Sequence, residues 1–263
     1  MAKEREGSEL SRIYEDKGTA EVALYGDAHS FIGQDFWIAK QLEGASKILD
    51  IGCGKGRMAK LLDGELYGVD ISSTFVDVAL KHGYADAKVC DVSSEEIPFA
   101  DSFFDAAICL DILEHLVDPI HALAEINRVL KPEGLLGITT PNIAFVISRL
   151  ALLLGHHTDT WEIAIPPPHL RYYTFNSLGK LLKQAGFGTV RIGGYPIEDW
   201  KQRKAELWRY FLWFLARLRP QLFAREIVLL AQKKRKPEQK QWQSPPVGSI
   251  KGFNRLKNLW RIT

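Results

Sequence analysis

The chain has 263 residues, 46% of them hydrophobic and 25% charged, with 34 Lys/Arg against 32 Asp/Glu for a formal net charge of +2. That is enough chain for one large core, and the proportions exclude collagen-like, low-complexity and wholly disordered classes. A balance of +2 singles out no partner.

Residues 1–46 read as a mixed helical and loop segment of lid type, with aromatics at Tyr14, Tyr25, Phe31, Phe36 and Trp37. No apolar stretch follows Met1, so no signal peptide is expected. From Lys47 short apolar runs alternate with helical periodicity. Lys47–Ile51 reads as a buried strand, followed by a glycine loop and a helix near Arg57–Leu62. Leu66–Ile71 reads as a second strand, and Ser72 or Ser73 can cap a helix through Lys81. Ala87–Cys90 and Asp105–Leu110 are the third and fourth strands. Pro119–Leu130 places Ile120, Leu123, Ile126, Val129 and Leu130 on one helical face. Gly134 ends that helix, and Leu135–Thr139 is the fifth strand. Strands alternating with helices predict right-handed βαβ units. Continuous apolar runs predict a parallel sheet buried on both faces.

After Pro141 the alternation breaks. An insertion over 142–174 holds an apolar helix and the run Pro166-Pro167-Pro168. Ser177–Gln184 reads as helix and Thr189–Gly193 as strand. An aromatic helical segment follows over 199–219, then a last strand at Glu226–Ala231 and a basic tail over 232–263. The main domain is thus 47–231. Residues 233–263 hold nine Lys/Arg and one acid, and 201–232 hold seven basic and two acidic residues. The first 200 residues therefore carry −11. An acidic body with a basic end suits an anionic surface or a solvated tail. The apolar runs near 143–155 and 207–218 are too short to span a bilayer, which takes about 20 residues. Trp208, Phe211, Leu212, Leu215 and Leu218 form one stripe, with Tyr210, Trp213 and Phe214 spilling onto the other side. Pocket wall, peripheral membrane contact and dimer contact all fit this pattern. Cys53, Cys90 and Cys109 form neither a CxxC pair nor a zinc pattern, so buried free thiols and a cytoplasmic location are expected.

The segment Ile48-Leu49-Asp50-Ile51-Gly52-Cys53-Gly54-Lys55-Gly56 puts a GxGxG turn between the first strand and the following helix, where parallel sheets bind nucleotides. Glycines let the backbone turn sharply and approach a ligand closely. Asp70, 18 residues beyond Gly52, ends the second strand, where a carboxylate can take both ribose hydroxyls. Dinucleotides and S-adenosylmethionine both fit such a loop. Arg57 stands where the dinucleotide fingerprint has its last glycine. Asp50 would oppose a pyrophosphate but favour an ammonium or sulfonium charge. The reading is S-adenosylmethionine.

Here the chain resembles the class I S-adenosylmethionine-dependent methyltransferases, in the small-molecule branch that includes the ubiquinone-type enzymes. ILDIGCGKG, LYGVDIS, VCDVSSEEIPFADSFFDAAIC, LDILEHLVDP and INRVLKPEGLLGITTPN carry the resemblance in order, from about Lys47 to Asn142. It implies a Rossmann-like doubly wound α/β sheet of seven strands, mainly parallel, the last antiparallel. It also implies that Gly52, Cys53, Gly54 and Gly56 line the methionine end, with Asp50 toward the amino group. Asp70 would hold the ribose and Ile71 would pack on adenine. Asp91 would accept from the adenine amine with Val92 beside it, and Leu110 and Asp111 would adjoin the reacting methyl. The stretch His169-Leu170-Arg171-Tyr172-Tyr173-Thr174 with FNSLGKLLKQAGF is similar to a sub-branch found with polysaccharide or lipid modification.

Methyl transfer to a hydroxyl needs alignment and removal of a proton. His115 has a suitable unperturbed pKa, about 6.5; a structural histidine at a helix start is the alternative. Asp111 and His169 are further catalytic candidates. Arg171, Tyr172 and Tyr173 are candidates for acceptor binding, or for anchoring their loop. Asp111, Glu114 and His115 alone make a weak metal set, so no metal is expected. The acceptor is expected to be a small molecule or a lipid- or glycan-linked group. A non-catalytic cofactor-binding module and a nicotinamide oxidoreductase are the alternatives. Nucleic acid is disfavoured because LDIL, not an NPPY-type motif, follows the fourth strand.

Overall fold

The structure is a computed structural model that describes residues 33–156, 169–195 and 214–237. The readings for 1–32, for Pro166–Pro168, for the aromatic stretch up to Trp213 and for the tail beyond Pro237 lie outside the described residues. Seven strands are present: β1 Lys47–Ile51, β2 Glu65–Asp70, β3 Asp86–Val89, β4 Phe104–Leu110, β5 Leu130–Pro141, β6 Phe187–Tyr195 and β7 Glu226–Lys233. They form one sheet in the order β3-β2-β1-β4-β5-β7-β6. β1, β2, β3, β4 and β5 pair in parallel, while β7 lies between β5 and β6 and runs antiparallel to both. This is the doubly wound, mainly parallel α/β sheet expected from the sequence.

The described helices are α1 Gly33–Gln41, α2 Ser73–Lys81, α3 Pro119–Val129, α4 Val146–Leu153, α5 Phe175–Gln184 and the single turn α6 Pro220–Phe223. Their starts follow from local chemistry. The Ser72 hydroxyl caps α2 by accepting from Phe75 N, and the Asp118 carboxylate caps α3 by accepting from Ile120 N and His121 N. Thr174 and Ser177 form a reciprocal capping box on α5. Each such cap satisfies N–H groups that have no partner within the helix.

The two sheet faces carry separate cores. One packs Leu123, Ile126 and Val129 of α3 and Leu178 and Leu182 of α5 against Leu49, Ile51, Cys109 and Ile138. The other packs Ile38 of α1, Leu42 and Ala79 against Ile48, Ala106, Ile108 and Val228. Ile38 and Leu42 are 0% and 2% exposed, and burying each stabilises the fold by about 1.5–3 kcal/mol. The helical part of the expected lid segment is therefore a layer of the core. All three cysteines are free and buried, and burial pushes the Cys90 thiol up to about 12.

Several readings differ in detail, the second, third and fourth strands and the helix before the sixth strand by only one or two residues. The helix expected near Arg57–Leu62 is a short 3₁₀ turn, Arg57–Lys60, entered from Gly56 at φ 72° and followed closely by Asp63-Gly64, which suit a turn rather than a longer helix. β5 begins at Leu130, not Leu135: the chain leaves α3 directly into extended backbone, with a register shift between Phe104 and Ala106 of its partner. β6 spans Phe187–Tyr195, wider than Thr189–Gly193. β7 runs two residues beyond Ala231, and the start of the basic tail is tied down. Lys233 Nζ donates to the carbonyls of Asn127 and Leu130, and Lys234 N and Arg235 N donate to Gly186 O.

Candidate active site

In open α/β sheets, ligands bind beyond the carboxyl ends of the strands where the winding reverses, here between β1 and β4. The glycine loop leaves β1 at that point. Gly52, Gly54 and Gly56 have φ of 69°, 50° and 72°, left-handed values that favour glycine. Gly52 N and Cys53 N donate to Val69 O (2.8 and 3.1 Å), tying the loop to the end of β2. The Cys53 side chain turns into the core, its sulfur so close to Gly68 that a Cβ there would lie 2.7 Å away. Only the backbone of Cys53 is thus offered to a ligand. Ile112 packs over Gly52, whose Cβ would fall 2.2 Å from the isoleucine Cδ1.

Asp70 ends β2 where the sequence places it. Its two carboxylate oxygens accept from Gly54 N (2.9 Å) and Ser72 N (3.0 Å), so one side chain sets both the glycine loop and the start of α2. Asp91 stabilises its own turn, accepting from Ser93 N and the Ser94 hydroxyl, both at 2.9 Å. Val92 is buried beside it, and Ile71 follows β2 half-buried.

Asp50 is 4% exposed, on the face of β1 that carries Ile48. The Tyr84 hydroxyl donates to it at 2.5 Å. Burial pushes its carboxyl up to about 7, against the opposing effects of the Tyr84 hydrogen bond and the Arg57 charge; Asp70 and Asp35 push it further up. Between its unfolded value of 3.8 and about 7, the folded protein holds a proton that the unfolded chain releases. Asp50 therefore costs stability as pH rises through that window. The Asp50→Asn variant, neutral at every pH, is expected to gain stability relative to the wild type by about 2 kcal/mol between about pH 5.5 and about pH 8. Urea unfolding at both pH values checks this, and an unchanged difference would show that Asp50 ionises normally.

Sequence reasoning missed what α1 brings to this place. Asp35, 0% exposed, accepts from Arg57 Nη1 at 2.9 Å, and Gln34 Nε2 donates to Asp111 Oδ2 at 3.3 Å. No motif marks either residue, because both meet the site only through the packing of α1. Asp35, Asp50 and Asp70 all act on a site that holds the Arg57 guanidinium. Among the described residues, the carboxylates acting at Asp50 outnumber the Arg57 guanidinium, a balance that fits a ligand with net positive charge such as S-adenosylmethionine and opposes a pyrophosphate.

Beyond β4, Asp111 has φ 57°, a left-handed value rare for a non-glycine residue. Thr139 holds it from two sides: the hydroxyl donates to Asp111 Oδ1 (2.8 Å), and Thr139 O accepts from Asp111 N (3.1 Å). Leu110 is buried just before it. A 3₁₀ turn, Leu113–His115, follows. Here the structure unites residues 54 positions apart, since the His115 and His169 rings meet edge to face with centroids 4.7 Å apart. Leu170 N and Arg171 N both donate to Glu114 O at 2.9 and 3.0 Å. Arg171 also donates through Nε to Leu116 O and through Nη2 to Val117 O. Arg171 thus straps the insertion to this turn, the anchoring alternative. Tyr172 is 45% exposed, whereas Tyr173 is 7% exposed in the core with its hydroxyl directed to Leu113 O. Tyr173 is a core residue, unlike the acceptor-binding wall expected of it.

Comparisons with known proteins agree with this geometry. Residues 49–138 match the family described as Methyltransferase domain. The chain is 36% identical over 163 residues to a ubiquinone biosynthesis O-methyltransferase from Thiobacillus denitrificans, covering 56% of this chain and 67% of that protein. It is 32% identical over 149 residues to the mouse (Mus musculus) protein named arginine-hydroxylase NDUFAF5, mitochondrial, covering 55% of this chain and 43% of that one. Among solved structures, a possible histamine N-methyltransferase from Thermotoga maritima shares the fold with TM-score 0.59 and 20% identity, over 86% of this chain and 100% of that one. With its strand order, its glycine loop and a relative matched over two thirds of its length, the chain belongs to the class I S-adenosylmethionine-dependent methyltransferases.

Proposed function

We propose that this methyltransferase transfers its methyl group to an oxygen of a small or lipid-linked acceptor. The observation that carries this reading is the pairing of His115, four residues past Asp111, with His169 just beyond β4. An oxygen acceptor must lose its proton as the new bond forms, and two imidazoles beside the reacting centre suit that need. When bound, the cofactor supplies an electrophilic methyl on a sulfonium. The chain's own part is to hold the glycine loop through Asp70, fix Asp111 through Thr139 and Gln34, and take the acceptor's proton toward the histidine pair. The ubiquinone biosynthesis O-methyltransferase named above supports oxygen as the acceptor atom.

A lipid-linked acceptor is supported by α4, which buries none of its residues. Ile147, Leu150, Leu153 and Leu154 stand 57%, 54%, 81% and 73% exposed at helical spacing, with Phe214 and Leu218 also exposed. No helix among the described residues is long and apolar enough to cross a membrane. The reading is a peripheral enzyme that meets a membrane surface through this apolar face and the basic C-terminal segment. A cofactor-binding module without methyl transfer is the second reading, since one relative matched over 149 residues is not named for methyl transfer. Label transfer from methyl-labelled S-adenosylmethionine into fractionated extract of the host decides between them. Label in a lipid fraction is expected; label in soluble metabolites alone removes the lipid part. No label with the cofactor still bound leaves the binding module.

A further inference from the structure

We infer that Glu114, His115 and His169 form a binding site for a divalent transition-metal ion. One ligand atom from each residue lies within 4.8 Å of the other two. Bound zinc holds imidazole nitrogens at about 2.0–2.1 Å, which puts tetrahedral donors about 3.3 Å apart. The three groups are thus one side-chain adjustment from a coordination shell.

Several features set this cluster apart from a chance contact of two loops. Glu114 is 1% exposed, a rare place for a carboxylate without compensation. Its Oε2 accepts from the Thr140 hydroxyl at 2.9 Å, the kind of support that orients a ligating carboxylate. The backbone beside His169 is fixed to the backbone of Glu114 by two hydrogen bonds, and Arg171 adds its own to the carbonyls of Leu116 and Val117. This strapping holds His169 against His115. The histidines are only half-buried, so the cluster is reachable.

The donor set chooses the ion. Two imidazoles and one carboxylate favour zinc, cobalt, nickel, manganese or ferrous iron over magnesium, which prefers oxygen donors and keeps its waters. Three protein ligands leave at least one position open, as catalytic rather than structural zinc sites do. This second half rests on the methyl-transfer reading and replaces its base: with the ion bound, the imidazoles are ligands and do not take the proton. The open position would take the acceptor's hydroxyl oxygen, and the ion would lower its pKa until the proton leaves to solvent. The sequence expectation of no metal weighed Asp111, Glu114 and His115 only, because nothing in the chain order announces His169 as their neighbour.

The test uses the full chain, stripped with a chelator and titrated with cobalt(II) alone. Visible absorption of tetrahedral or five-coordinate cobalt at one equivalent is expected, displaced by zinc(II) and not by magnesium(II). The His169→Asn variant should bind cobalt at least tenfold more weakly while keeping its affinity for S-adenosylhomocysteine, which also shows that it is folded. Equal cobalt affinity in the wild type and His169→Asn overturns the site, as does no cobalt spectrum at all. If His169→Asn fails to bind S-adenosylhomocysteine, His115→Asn replaces it with the same two readouts. Methyl transfer that is equally fast in stripped and zinc-loaded enzyme overturns the catalytic half, whereas absence of any transfer with a normal cobalt titration counts against the methyl-transfer reading alone.

Discussion

Replacing His115 by alanine is expected to lower methyl-transfer turnover by about 10²–10⁴-fold, the range typical of a lost acid–base or proton-handling group. Affinity for S-adenosylhomocysteine should stay unchanged, because His115 follows β4, whereas the glycine loop and Asp70 follow β1 and β2. His115 closes the 3₁₀ turn after β4 and donates its own N–H to Ile112 O at 2.9 Å, so the backbone holds its position whatever the side chain. The substitution therefore removes chemistry more than structure. Turnover within a small factor of wild type would leave His115 as a packing partner of His169 and nothing more.

The Asp70→Ala variant is expected to weaken cofactor binding by about 1–3 kcal/mol, the cost of stranding buried hydrogen-bond partners. That corresponds to roughly 5- to 150-fold in affinity, measured by calorimetry with S-adenosylhomocysteine. Two losses combine here. The ribose would lose its acceptor, and the loop would lose its template, since Gly54 N and Ser72 N both bond to this carboxylate. Ser72 is also the cap of α2, so part of the cost should appear as lower thermal stability of the free protein. Asp70→Asn, which keeps one acceptor oxygen, should lose less in both measurements. Unchanged affinity in Asp70→Ala would place the ribose elsewhere.

What was legible in the sequence is what depends on neighbours in the chain. Lys47–Ile51 is the first strand residue for residue, and Asp70, the three glycines and Asp111 stand at strand ends as read. Continuous burial made those strands visible as apolar runs. What stayed hidden depends on contacts far apart in sequence. Asp35 meets Arg57 across 22 residues, Tyr84 meets Asp50 across 34, and Gln34 meets Asp111 across 77. None of these pairs leaves a local pattern. Tyr173 misled because an aromatic with a polar tip suits a pocket wall and a core equally; its carbonyl, which accepts from Ile143 N, draws it inward. Arg171 stood open between acceptor binding and loop anchoring, because only the fold brings it to the carbonyls of Leu116 and Val117.

The position of β7 has a consequence for how the chain is made. β6 has no neighbour in the sheet other than β7, and the outer side of β5 is covered by β7 as well. During synthesis, β5 and β6 therefore emerge with unpaired edges, open to wrong partners, until the residues of β7 follow. The strand that completes the sheet is the last to leave the ribosome among the seven. A chain broken off before Glu226 would thus lose more than one strand: it would strand β6 outright and expose the apolar edge of β5, a product fit for degradation rather than for partial function.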